Sequence, residues 1–192
     1  MKSENNAEVA EAEVKMELTQ EEFRRMPETL LALNFHQDDN YSIVDYYLDY
    51  EMSGNGGYNF SRVRETTSGF TITEKHWKQD NDGRRIRIED ESMLDSQSAQ
   101  TMISAVPGNH IIRKERTDFR GGSSQIPMTI SLDQLEISKR TRFFIEVEMI
   151  VPPEIAAAAH DSIMVWMKKE LHLEAETEAP SMLQLLLTSN LR

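Results

Sequence analysis

Four glutamates form two pairs near opposite ends of the chain, Glu11-Ala-Glu13 and Glu146-Val-Glu148. In an extended strand, this spacing puts both carboxylates of a pair on one face. Such hard oxygen donors suit Mg2+ or Mn2+, which bind a few carboxylates and complete their shell with water and substrate phosphate. Basic residues repeat the same spacing in Arg62/Arg64 and Lys114/Arg116, while Lys75 and Arg87 stand in other alternating stretches. About six such side chains on strand faces can grip a polyanion through charge-assisted hydrogen bonds. The ligand that needs both sets is a metal-bound triphosphate.

The signs of these charges matter as much as their number. Arg62/Arg64 and Lys114/Arg116 are purely basic, and Glu146/Glu148 is purely acidic. Like charges two residues apart on a strand face lie about 6.7 Å from one another and repel. They become useful when a ligand of opposite charge sits between them. Taken alone, the opening segment EAEVKMEL (Glu11 to Leu18) would turn its apolar face inward and leave its charges in water. Six such strands fit better in a closed barrel, with the charges pointing in and the apolar faces covered by helices. An eight-stranded barrel has room inside for side chains or one small ligand. Ions confined there without partners cost several kcal/mol each, so cations and an anionic chain must enter together.

The elements that would hold these residues can be read in order. Residues 7 to 18 read as a strand, and Thr19-Gln-Glu-Glu22 offers a capping box for a helix bearing Phe23, Met26, Leu30, Leu31 and Leu33. Pro27 falls inside that pattern, so the helix is expected to start late or kink. From residue 41, YSIVDYYLDYE, YNFSRVRET, FTITEKHWK and RRIRIEDE alternate between SGNGG, TSG and DNDG turns. Residues 92 to 105 look helical. Three more strands follow in GNHIIRKERTDFR, PMTISLDQLEI and RTRFFIEVEMIV, then a helix over 154 to 171 and a short apolar tail, SMLQLLL. The expected fold is α+β, an eight-stranded antiparallel β-barrel with flanking helices. It forms one domain over 1–192, with residues 1–6 outside the ordered part.

Composition narrows the function. A net charge of −12 opposes non-specific attraction to long nucleic acid or an anionic membrane. The absence of cysteine removes thiolate chemistry and cysteine-ligated zinc. No apolar run reaches membrane-span length, and MKSENNAEVAEAE reads as neither a secretory signal nor a transit peptide. The expected compartment is the cytoplasm. The five histidines show no metal-ligand spacing. Trp77, Trp166 and the methionines read as core or rim, Tyr46 and Tyr47 as barrel exterior and wall, and GNGG as a hairpin turn.

The chain resembles the CYTH superfamily, the triphosphate tunnel metalloenzymes. Glu11-Ala-Glu13-Val-Lys15 is similar to the family's opening Glu-x-Glu-x-Lys. In order, DYYLDYE, FSRVR, TITEK, IIRKERTDF, SLDQLE, FFIEVE and APSMLQLLL resemble its later motifs, so the likeness spans nearly the whole chain. Met182 replaces the usual tail tyrosine, His76 follows Lys75 where glycine is common, and ISKRTR replaces a Leu-Gly turn. The resemblance implies a tunnel with its charges inside. It also implies Mg2+ or Mn2+ on Glu11, Glu13, Glu146 and Glu148, with Asp133 as a helper. Arg62, Arg64, Lys75, Arg87, Lys114 and Arg116 would hold phosphate, with Arg85 in reserve. Lys15, Glu146 and Glu148 would act at the reacting centre. Homodimers are common in the family.

Three functions fit these residues. One is hydrolysis of the terminal phosphate of inorganic triphosphate, a nucleoside triphosphate or thiamine triphosphate. Another is cyclisation of a nucleotide with release of pyrophosphate, as in class IV adenylate cyclases. The third is binding of nucleotide or polyphosphate without turnover.

Overall fold

The structure is a computed structural model that describes residues 9–53, 57–79, 85–121, 128–137, 139–173 and 178–189. The turn readings at 54–56, 80–83 and 122–127, and the expectation for residues 1–6, lie outside them. Eight antiparallel strands close into a barrel in the order β1-β5-β4-β3-β2-β6-β7-β8. They are β1 (Ala10–Leu18), β2 (Phe35–Met52), β3 (Tyr58–Thr66), β4 (Gly69–Gln79), β5 (Arg85–Leu94), β6 (Ile111–Gly121), β7 (Met128–Ile137) and β8 (Arg140–Val151). Among the described residues, the α-helices are α1 (Gln20–Ala32), α2 (Ser96–Ile103), α3 (Ala156–Glu170) and α4 (Met182–Ser189).

Sequential strands pair as hairpins, so β2–β3–β4–β5 and β6–β7–β8 form two meanders. β1 joins them by pairing with β8 along its whole length, from Ala10↔Val151 to Leu18↔Phe143. Among the described residues, its other edge meets β5 at the register pair Glu11↔Arg87. The β3–β4 turn ends at Gly69, whose φ of +133° a residue with a Cβ would adopt only under strain.

Helix α1 differs from the expected late start. Thr19 caps it, accepting from Glu22 N at 3.2 Å, while Glu22 Oε2 accepts from Thr19 N at 2.8 Å. This capping box holds the first turn. Pro27 removes one helical hydrogen bond, but the helix runs through it because Met26 and Leu30 are buried against the barrel on either side. Strand β2 begins at Phe35, six residues before the alternating pattern does. Its polar HQDDN shows no alternation, and it becomes strand by pairing with β6, with a register shift between Gln37 and Asn40.

The core has three parts. The apolar faces of β1, β5, β7 and β8 pack under α1 and α3, including Val14, Met16, Ile130 and Val147 from the barrel with Leu30, Ile163 and Met167 from the helices. Tyr46 and Val63 pack with Ala99 of α2. A third cluster joins Tyr47, Ile112, Leu135, Ile137 and Phe144 to Met182, Leu183, Leu185 and Leu186 of α4. On their strands these barrel residues share the parity of the charged ones, so α4 closes one end of the barrel with an apolar plug. Among the described residues no helix is long and apolar enough to cross a membrane.

Candidate active site

Strand β1 shows which way the charges face. Ala10, Ala12, Val14, Met16 and Leu18 are at most 5% exposed against the helices, yet Glu11 and Lys15 are also only 7% and 8% exposed. Both faces are covered, and the charged one looks into the barrel. A cavity of about 360 Å3 runs through it. Its lining includes every sequence-predicted site residue except Asp133.

Strand order sorts these residues into two walls. In a closed ring of eight, β1 stands opposite β2. Around β1 gather the carboxylates Glu11 and Glu13, with Glu146 and Glu148 from β8 and Glu89 and Glu91 from β5. Around β2 gather Arg62 and Arg64 from β3 and Lys114 and Arg116 from β6. Lys75, Arg87 and Lys15 reach into the acidic wall. Lys15 Nζ lies 2.6 Å from Glu146 Oε2 and 3.1 Å from Glu13 Oε1. Lys75 Nζ lies 2.7 Å from Glu11 and 2.6 Å from Glu89, and Arg87 Nη1 lies 2.7 Å from Glu13.

The basic wall is set by two aspartates with no exposed surface. Asp45 on β2 stands directly across from Arg64 in the strand register and accepts from its Nε at 2.7 Å and its Nη2 at 3.1 Å. It also accepts from Arg62 Nη1 at 3.4 Å. Asp133 on β7 stands across from Arg116 and accepts from its Nε and Nη2, both at 2.7 Å, and from Lys114 Nζ at 2.8 Å. Both oxygens of Asp133 are thus engaged by cations behind the cavity wall. Asp133 thus holds Lys114 and Arg116 from behind and is absent from the cavity lining.

Sequence reasoning passed over Asp45 and Glu89 as site residues. Glu89 shares strand parity with Arg87, so alternation alone could have flagged it. Asp45 sits in a tyrosine-rich strand with no charged same-face neighbour, and only its pairing with Arg64 gives it meaning. Arg85 opens β5, and its side chain lies outside the described residues.

The electrostatics follow from these contacts. Burial works against the charge of Glu13, but Lys15, Arg87 and Lys75 outweigh it and hold the carboxyl well below its usual range. Glu146 is likewise low because Lys15 and Arg116 overcome its burial. Glu11 and Glu148 go the other way. Burial pushes Glu11 up despite Lys75, helped by Glu13, Glu89 and Glu148. Burial and the neighbouring Glu146 push Glu148 up. On the basic wall, burial and Arg116 lower Lys114 to about 8 against the pull of Asp133. The acidic wall holds more negative charge than its cations balance, and Lys114 is held among cations.

That imbalance is the test of fit for a divalent ion. Among the described residues, no three carboxylates or imidazoles already form a metal cage, because Lys15 and Lys75 sit between the carboxylates. The donor set is nevertheless all hard oxygen on one wall, and no side chain forms an ion pair with Glu148 among the described residues. This fits Mg2+ or Mn2+, which keep part of their shell for water and phosphate. A consequence can be measured. A carboxyl with a raised folded pKa opposes folding at neutral pH and stops doing so as pH falls through that value. Glu148→Gln is therefore expected to raise the thermal midpoint of metal-free protein by a few degrees at pH 7. It should also shrink the further rise produced by Mg2+. A lower metal-free midpoint with an unchanged Mg2+ response would remove Glu148 from the metal wall.

No family model matches the chain, and no curated protein matches it in sequence. Solved structures do. A conserved hypothetical protein from Pyrococcus furiosus is 21% identical, with TM-score 0.64, over 92% of this chain and 99% of that one. A candidate adenylate cyclase from Vibrio parahaemolyticus is 17% identical, with TM-score 0.61, over 93% and 98%. HpAC1 from Hippeastrum, a candidate adenylyl cyclase found to have a dominant triphosphatase activity, is 15% identical, with TM-score 0.59, over 94% and 95%. At these identities the likeness is one of fold, and it runs the length of both chains. The chain therefore shares the overall fold of these proteins, here a closed eight-stranded barrel with carboxylates and basic side chains lining its bore.

Proposed function

We propose that the tunnel binds a triphosphorylated small molecule together with a divalent cation and hydrolyses its terminal phosphate. The observation that carries this reading is the placement of the carboxylates around β1 directly opposite the arginines and lysine flanking β2. A metal-bound polyphosphate is bipolar in the same sense, with the cation on one side and free phosphoryl oxygens on the other.

In this reading Glu11, Glu13, Glu146 and Glu148 hold the cation. Bound there, it would polarise the phosphate chain and lower the pKa of a water molecule. Arg62, Arg64, Lys114 and Arg116 hold the non-bridging oxygens, and Lys75 and Arg87 grip the chain from the acidic side. Lys15, pinned between Glu13 and Glu146, places a positive charge beside the reacting phosphate. Phosphoryl transfer asks mainly for positioning and charge stabilisation. Asp45 and Asp133 supply the positioning by fixing the basic side chains before substrate arrives, so little reorganisation remains for the reaction itself. Plugging of one tunnel end by α4 restricts bulk water there.

The dominant triphosphatase activity named for HpAC1 supports hydrolysis over cyclisation, although candidate cyclases share the fold. The test incubates the purified chain with Mg2+ or Mn2+ and ATP, GTP, inorganic triphosphate, thiamine triphosphate or 5′-triphosphorylated RNA, and then resolves the products. Orthophosphate release that stops when EDTA is added is the expected result. Cyclic nucleotide with pyrophosphate would replace the hydrolase by a cyclase. Tight binding without product would make the chain a binding protein.

A further inference from the structure

A second cavity, of about 530 Å3, adjoins the tunnel where β1 pairs with β5. Glu11, Glu13, Lys15 and Arg87 border both cavities, so the two spaces meet around the Glu11↔Arg87 pair. The rest of its wall differs in chemistry from the tunnel. Trp77 and Tyr58 contribute aromatic surface, and Ala156 and Ala157 of the first turn of α3 add a small-residue face. His160, Asp161 and Glu178 stand at its edge. The segment entering α4 closes the chamber, held by Ala179 N donating to Lys15 O at 2.8 Å and by His160 Nε2 lying 2.8 Å from Glu178 Oε1.

Arg87 stands at the junction. Its Nη1 reaches Glu13 in the tunnel at 2.7 Å, while its guanidinium carbon lies 4.6 Å from the Trp77 ring centroid on the chamber side. A ligand gripped by Arg87 through a phosphate oxygen would have its next group against the indole. The volume falls within the roughly 300–1,000 Å3 typical of sites for organic ligands. The wall mixes apolar surface with a few acceptors, as such sites do, and its Lys15 and Arg87 stand at the border with the tunnel.

Building on the tunnel reading above, we propose that this chamber seats the organic group of a triphosphate ester. The preferred substrate is then a nucleoside triphosphate or a similar ester with a flat ring. Its phosphates lie in the tunnel and its ring lies beside Trp77, with Asp161 and Glu178 accepting from its amino or hydroxyl groups. Bare inorganic triphosphate leaves the chamber unused and binds more weakly.

The test titrates the full chain with ATP and with inorganic triphosphate, each with Mg2+. It uses Trp166→Phe as background, so that Trp77 is the sole indole reporting binding. Ala157 is half-buried and lines the chamber. Ala157→Phe would fill the space, and is expected to weaken ATP about tenfold while leaving inorganic triphosphate within about twofold. Ala157→Leu, a smaller change, serves if the phenylalanine variant does not fold. Equal effects on both ligands, or none on either, would overturn the chamber as a subsite and leave the tunnel reading standing. Failure of the unsubstituted chain to bind either ligand would overturn the tunnel reading, and the chamber with it.

Discussion

Glu146→Gln is expected to lower metal-dependent phosphate release by about 100-fold or more, or about 2.7 kcal/mol in the barrier, while the protein stays folded. The two halves of that statement have separate causes. Glutamine keeps the shape of the side chain but loses the charge that pairs with Lys15 at 2.6 Å and Arg116 at 3.2 Å. Turnover suffers because one hard oxygen donor of the proposed metal wall is gone and Lys15 loses one of the two partners that aim it. Stability suffers less than for most buried pairs because neither cation is orphaned. Lys15 keeps Glu13 at 3.1 Å, and Arg116 keeps Asp133 at 2.7 Å. Initial rates beside a thermal melt separate the effects. An unchanged rate would take β8 out of the mechanism.

Asp45→Asn should have the opposite profile, with the larger effect on stability. Asp45 has no exposed surface and is the carboxylate shared by Arg62 and Arg64, which are themselves largely buried. Removing one member of a buried charge cluster costs about 3–5 kcal/mol. For a chain of this size, that corresponds to a fall of about 6–20 °C in the thermal midpoint, at about 2–4 °C per kcal/mol. Inorganic triphosphate should restore part of the loss, because an anion in the tunnel supplies the negative charge that asparagine lacks.

The pH dependence gives a second readout. Burial opposes ionisation of Asp45, but Arg62 and Arg64 outweigh it and hold the carboxyl far below its ordinary range. A depressed folded pKa contributes stability that is complete above the unfolded value of about 3.9 and is lost as pH falls towards the folded one. The stability gap between the natural chain and Asp45→Asn should therefore be widest at neutral pH and narrow below about pH 4. A gap that is constant with pH would mean that Asp45 acts by packing alone.

Much of the site was legible because a strand has a period of two. Glu11/Glu13, Arg62/Arg64, Lys114/Arg116 and Glu146/Glu148 each declare a common face from spacing alone, and the opposite faces declare an apolar exterior. The last two strands, PMTISLDQLEI and RTRFFIEVEMIV, match β7 and β8 almost to the residue, whereas GNHIIRKERTDFR starts three residues before β6, in a 3-10 turn over Gly108–His110. What failed did so for local reasons. Phe35–Asn40 carries no pattern because its strand state depends on β6, and the capping box starts α1 at Gln20 although Pro27 argues for a late start or a kink.

From the sequence by itself came the residue types, their shared faces and the need for a closed, charge-lined interior, because side-chain direction along a strand is a local property of the backbone. Only the tertiary structure decided which strands stand opposite one another, and hence that the carboxylates face the arginines across the bore. It alone brought Asp45 against Arg64, Asp133 against Arg116, and α4 into the end of the barrel. Register and ring order are set by pairings between residues far apart in the chain, and such pairings leave no trace in the spacing of any one segment.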